Sequence, residues 1–297
     1  MSPPGVFSHH ACLEHDPGRG HPESPARLAV LLDRLAGEGI PVEWSEPARL
    51  EAILRVHPRE YLDLLARVAE QGGGPIEADT VLNPASWEAA LGAAGAALAA
   101  VTRAHDTGSA FAAIRPPGHH ALRAHAMGFC LLANAVIAGR HAQSLGRSRI
   151  LIVDWDVHHG NGTQALVETE PDIRFVSLHE WPAYPGTGSE LERGIGNVFN
   201  VPRPAGLPPE RYVRDLLGAV RRASEGWSPD LVIISAGYDS MAGDPLGGFT
   251  LEPEHYGQLV DGIRERCPDA PVAVVLEGGY APSRVADGVV ATLKALE

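Results

Sequence analysis

The sequence predicts an α/β fold built on a central, mainly parallel sheet with helices on both faces. Two observations carry that expectation. Five short apolar runs are continuous rather than alternating, as strands covered on both faces are. Helix-length stretches lie between several of them, and strand–helix alternation implies parallel pairing.

Taken in order, helices are expected over 26–36, 57–70 and 86–102, before the first predicted strand, AFAAI at 110–114. A helix over 132–144 then leads to ILIV at 150–153. FVSL at 175–178 comes next, and a helix over 209–225 precedes LVIIS at 231–235. The last pair is a helix over 254–266 and VAVVL at 272–276. The glycine triplet at 72–74 reads as a loop between helices.

The segments just beyond the strands are more informative than the strands. RPPGHH comes after the first, DWDVHHGNGT after the second, HEWPAYPGTG after the third, AGYDS after the fourth and EGGY after the fifth. In a parallel sheet these segments emerge at one carboxyl edge, where ligands bind. Five polar, glycine-rich loops are therefore expected to line one crevice.

Their chemistry is that of a metal site. Asp156 and His158 stand two residues apart, a spacing that on extended chain points both the same way. Oxygen and nitrogen ligands suit zinc, and also iron or cobalt. Asp239 is the best-placed third ligand, and three protein ligands leave a position open for water or substrate. His119 and His120 supply an imidazole pair, one as general base and one backed by a carboxylate such as Asp154. The Tyr280 hydroxyl can donate to an oxyanion. Together these parts read as metal-assisted hydrolysis of an amide. A lone HH or DxD is common, and Asp154 and Asp156 have a bland reading as helix caps. His9, His10, His15, His21, His105, His125 and His141 read as solvated or structural, and Cys130 as a small buried hydrophobe. The conjunction at successive strand ends outweighs these readings.

Composition narrows the classes. The 297 residues are 44% hydrophobic with a formal net charge of -13. That acidity argues against nucleic acid as a partner and is compatible with a cationic substrate. Three widely spaced cysteines, Cys12, Cys130 and Cys267, make no disulfide framework or zinc knuckle. MSPPGVFSHH lacks the basic and apolar regions of a signal peptide, and no apolar run spans a bilayer. A cytoplasmic protein with no membrane association is expected. No charge block or low-complexity linker divides residues 1–297, which are expected to form one catalytic domain.

The motifs RPPGHHA, GFCLLANA, DWDVHHGNGTQ, SLHEWPAYPGTG, AGYDSMAGDPLGG and LEGGY resemble, in kind and order, those of the histone deacetylase superfamily. That superfamily also includes acetylpolyamine amidohydrolases and acetoin-utilisation proteins, and GHPESPARL is similar to its class II-like members. The resemblance covers about residues 6–290. It implies an arginase-like three-layer α/β fold with Asp156, His158 and Asp239 as zinc ligands, Fe2+ being an alternative. It makes His120 the proton-transferring histidine, His119 its electrostatic partner and Asp154 the carboxylate behind His119. Asn161 stands behind His120, where class I members carry aspartate, and Tyr280 matches the oxyanion-stabilising tyrosine. Gly128, Phe129 and Tyr184 match the acyl-lysine tunnel, and Arg27 an inner acetate channel. A structural K+ is implied at Asp154, Asp156, His158, Ser177 and Leu178. The implied substrate is an acylated lysine on a protein or peptide. A free acetylated polyamine is the alternative, and Leu246 after Asp244-Pro245 is the pattern of the lysine deacetylases. A non-catalytic binder is the remaining class, and the oligomeric state, monomer or homodimer, stays open.

Overall fold

The computed structural model describes residues 3–297. Its strands are β1 (Gly5–Ser8), β2 (Val42–Trp44), β3 (Gly74–Pro75), β4 (Val81–Leu82), β5 (Ser109–Ala112), β6 (Ile150–Asp154), β7 (Ile173–Glu180), β8 (Val198–Arg203), β9 (Leu231–Ala236) and β10 (Val272–Leu276). Its helices are α1 (Pro25–Gly37), α2 (Leu50–Ile53), α3 (Arg59–Glu70), α4 (Ser86–Thr107), α5 (Asn134–Ser144), α6 (Asn161–Val167), α7 (Pro209–Ser224), α8 (Pro253–Arg266) and α9 (Pro282–Leu296). Among the described residues, eight strands form one sheet in the order β2-β1-β5-β10-β9-β6-β7-β8, and every pairing in it is parallel.

The five predicted strands are the five that fill the middle of this sheet. Ile150, Leu151, Ile152 and Val153 of β6 are fully buried, as are Leu231, Val232, Ile233 and Ile234 of β9. Branched side chains on both faces explain the unbroken apolar runs. Helices cover both faces of the sheet, so the architecture is the three-layer one expected. The strands without a clear sequence signature lie at or towards the edges. β2 has three residues, two of them exposed, and β8 carries Pro202, which an edge strand tolerates. β1 has four residues, and α9 was not expected although Pro282 opens it. The glycine triplet is not a plain interhelical loop, because Gly74 starts the antiparallel β3-β4 hairpin.

One buried ion cluster supports the carboxyl edge from below. Glu23 accepts from Arg115 Nε at 2.7 Å and Arg115 Nη2 at 2.6 Å, and from Arg27 Nη1 at 3.0 Å. All three side chains are buried. Burial raises the Glu23 carboxyl, but the Arg115 charge, the His15 side chain and then the Arg27 charge outweigh it and hold the carboxyl well below its usual range. Glu23→Ala would leave both cations buried without their shared partner. It is expected to cost about 3–5 kcal/mol, read as a lower midpoint in urea unfolding.

Candidate active site

All the motif loops leave the same edge of the sheet, because their strands are parallel. A pocket of about 290 Å3 opens there, lined by Asp79, His120, Gly128, Phe129, His158, Ala183, Tyr184, Leu246 and Tyr280. Six different connecting segments meet in it. Phe129 and Tyr184 form its walls. Tyr184 meets the His120 ring edge-on at 5.0 Å, and Phe129 meets Tyr280 edge-on at 5.7 Å. Leu246 and Tyr184 stand at the mouth, 41% and 39% exposed.

At the floor, the ligand atoms of Asp156, His158 and Asp239 all lie within 4.8 Å of one another. The chain bends through 156–158 instead of running extended, so the alternation argument for this pair does not apply. The bend itself brings them together: His158 donates its backbone N–H to Asp156 Oδ1 at 2.9 Å, and His158 Nδ1 lies 3.1 Å from the same oxygen. Asp239 Oδ1 accepts from the Val157 N–H at 2.8 Å, while its buried Oδ2 has no hydrogen-bond partner among the described residues and lies 3.4 Å from His158 Nδ1. Burial, and then the Asp156 charge, push the Asp239 carboxyl up to about 7. Two buried carboxylates, an orphaned oxygen and an imidazole nitrogen between them fit a divalent cation. Gly278 completes the floor. Its N–H donates to Asp156 Oδ2 at 2.9 Å, and any Cβ there would run into the oxygens of Asp156 and Asp239.

The two histidines above the floor are in opposite states. His119 Nδ1 donates to Asp154 Oδ2 at 3.0 Å. Burial opposes charge on His119, but Asp156 and Asp154 outweigh it and raise its pKa to about 10. Burial together with the nearby His119 and His158 keeps His120 well below its ordinary value, hence neutral. His120 Nδ1 pairs with Asn161 Oδ1 at 2.7 Å. That bond places the proton on Nδ1 and leaves Nε2 as a free base. Tyr280 is anchored by its own N–H to Asp244 Oδ2 at 2.6 Å. Burial holds its phenol well above the ordinary value, so it stays protonated.

Arg27 is placed apart from the pocket. It is buried beneath the Tyr280 ring, with its guanidinium carbon 4.9 Å from the centroid, and donates to the carbonyls of Gly279 and Glu277 at 2.5 Å each. Its contacts are with Glu23 and with the loop that carries Tyr280. Ser177 Oγ pairs with His179 Nδ1 at 2.9 Å, and among the described residues no hydrogen bond reaches the Asp156 or His158 carbonyl. Asp154 is fully buried.

Three participants in the site carry no sequence signature of their role. Asp79 lines the mouth and accepts from the Gly128 N–H at 3.1 Å. Glu277 accepts from the amides of Gly118 and His119 at 2.6 and 3.0 Å and from Ser235 Oγ at 2.9 Å, which fixes the backbone of the histidine pair. Cys130 Sγ accepts from the backbone N–H of His120 at 3.5 Å. His119, Cys130 and Glu277 also cluster closely, but the carboxylate is already satisfied by those donors. Glu277 and Cys130 sit inside the LEGGY and GFCLLANA motifs, yet nothing local marks what they touch.

Residues 21–296 match the family described as Histone deacetylase domain. The chain belongs to the histone deacetylase family. It is 43% identical to an uncharacterized protein of Synechocystis, with 96% of each chain covered. It is 36% identical to the histone deacetylase-like amidohydrolase of Pseudomonas aeruginosa, covering 90% of this chain and 74% of that one. Among solved structures, the HDA15 HD domain superposes with a TM-score of 0.95 at 34% identity, covering 99% of this chain and 88% of that one. The acetylpolyamine aminohydrolase of Burkholderia pseudomallei superposes with a TM-score of 0.89 at 26% identity, covering 99% and 98%. The protein is a histone deacetylase-family amidohydrolase, a hydrolase acting on amides. Among the described residues, no helix is long and apolar enough to cross a membrane.

Proposed function

We propose that this amidohydrolase removes acetyl or other acyl groups from acylated lysine side chains of proteins or peptides, with zinc as its metal. The observation that carries the reading is the floor of the pocket. It joins Asp156, His158 and Asp239 to a neutral His120 and a protonated Tyr280 at the end of a narrow aromatic slot. Held by those three ligands, zinc or Fe2+ would supply Lewis acidity toward the acyl carbonyl and the attacking water.

The protein's own groups account for the proton transfers. His120 Nε2 takes a proton from the water as its oxygen bonds to the acyl carbon. Tyr280 donates a hydrogen bond to the carbonyl oxygen as negative charge develops there. His120 then returns the proton to the amine nitrogen as the C–N bond breaks, leaving a carboxylic acid and an amine, and transfer of the acid's proton to the amine gives a carboxylate and an ammonium group. His119, paired with Asp154, keeps a positive charge beside His120 throughout. The carbonyls of Asp156 and His158, with Asp154, Ser177 and Leu178, are the groups proposed to hold a structural K+.

A second reading, an acetylated polyamine as substrate, draws support from the Asp79 carboxylate at the mouth, where an ammonium group would arrive. Leu246 after Asp244-Pro245 favours lysine, since an acidic side chain there would hold a second cation. The test compares an acetyl-lysine peptide with acetylspermidine on zinc-loaded protein, with and without chelator. Chelator-sensitive turnover of the peptide, with little on the polyamine, is the expected result. The opposite preference would move the protein to the polyamine branch.

A further inference from the structure

The second histidine of DWDVHHGNGTQ takes no part in the pocket. His159 is buried, and its ring points away from the reacting groups into a hydrogen-bonded chain under the 181–197 loop. That loop carries Tyr184, the aromatic wall closest to His120. Several of its side chains face solvent, Leu191 at 83% exposed and Ile195 at 60%, so apolar burial alone does not hold it.

We propose that the Glu192–Gln164–His159 chain is a positioning device that clamps the Tyr184 loop onto the metal-ligand segment and so sets the width of the substrate pocket. The polarity of the chain is set by one carboxylate. Glu192 can only accept, and it accepts from Gly188 N–H at 3.1 Å, Ser189 N–H at 3.0 Å and Gln164 Nε2 at 2.8 Å. Gln164 must therefore turn Oε1 the other way, where it accepts from Asn200 Nδ2 at 2.7 Å and His159 Nε2 at 2.9 Å. His159 then carries its proton on Nε2, and Nδ1 accepts from Thr187 Oγ1 at 2.8 Å. His179 adds a further anchor: Nε2 donates to the Gly188 carbonyl at 3.0 Å and Nδ1 accepts from Ser177 Oγ. Only one arrangement of protons satisfies every member.

The geometry ties three consecutive loop residues, Thr187, Gly188 and Ser189, to α6 and β7, with β8 joined through Asn200. Gly188 has φ +96°, and a Cβ there would strike both the His179 and His159 rings, so the backbone lies directly on the imidazoles. Since His159 adjoins His158 in the chain, the clamp fixes the spacing between the Tyr184 wall and the metal-ligand segment.

The test exchanges the polarity of the central pair. Glu192→Gln alone sets two donors against each other at the Gln164 contact. Gln164→Glu alone sets two carboxylates against each other. The double exchange Gln164→Glu/Glu192→Gln restores the central bond with its direction reversed and keeps the direction of the others: the carboxylate at position 164 accepts from His159, Asn200 and the amide at position 192, whose own oxygen accepts from the two loop amides. The kinetic arm rests on the acylated-amine reading, but amide exchange of residues 187–190, measured by mass spectrometry, does not. Each single variant is expected to lose protection there and to lower kcat/KM about tenfold, chiefly through KM, at unchanged metal content. The double variant is expected to recover both. Protection unchanged in the single variants, or no recovery in the double, would overturn the clamp. Lost protection with KM unmoved would overturn its control of the pocket. A wild-type protein inactive on every acylated amine would sink the substrate reading, while the exchange result would still decide the clamp.

Discussion

Asparagine in place of Asp239 is expected to strip the metal from the protein and cut turnover at least on the order of 1,000-fold. Among the described residues, the Asp239 side chain is attached to the fold through one oxygen, Oδ1 to the Val157 N–H, and its other oxygen is buried without a hydrogen-bond partner, facing His158 Nδ1. Such an atom is costly unless a cation or proton meets it. Asparagine keeps the Val157 contact and the side-chain shape. It removes a full charge from the cluster, and one orientation of its amide points N–H groups at an imidazole nitrogen. Metal-assisted catalysis supplies several kcal/mol, and each 1.36 kcal/mol is a factor of ten. Metal per chain by plasma mass spectrometry and turnover should fall together, with circular dichroism unchanged. Full metal content in Asp239→Asn would remove Asp239 from the ligand set.

The site was legible because its parts come directly after central strands. Strands buried on both faces write themselves as unbroken apolar runs, and in a parallel sheet the residues after each run share one edge. DWDVHHGNGT, AGYDS and EGGY could be brought together without any knowledge of the turns between them. The placement of Asp156 beside His158 has a different cause than alternation, since a bend and a backbone hydrogen bond bring them together. What the sequence hid were partners with no local pattern. Glu23 meets Arg115 across 92 positions, and Glu277 meets Gly118 across 159. Glu192 reaches Gln164 across 28 positions of unrelated chain. Edge strands were hidden for the converse reason: β2 is largely exposed and β8 is interrupted by the polar Asn200 and by Pro202, so both lose the apolar signature. Arg27 is another such partner: its donors are taken up by Glu23 and by the Glu277 and Gly279 carbonyls, which supports the Tyr280 loop from beneath.

That support bears on the second large effect, in Tyr280→Phe. The substitution is expected to lower kcat on the order of 100-fold or more while metal content and unfolding midpoint stay unchanged. The ring is held independently of its hydroxyl. Its N–H bonds to Asp244, Arg27 lies beneath it and Phe129 packs edge-on, and phenylalanine preserves all three contacts. Among the described residues, no group hydrogen-bonds the Tyr280 hydroxyl, so its removal orphans nothing within the fold. Its elevated proton affinity makes the phenol a donor rather than a base across the neutral range. The loss therefore falls on charge that develops only as the carbonyl is attacked. An interaction made only at that stage lowers kcat and kcat/KM together and leaves KM nearly unchanged. A rise in KM at constant kcat would instead make Tyr280 a substrate-binding wall like Phe129, and near wild-type turnover would remove its role in the reaction.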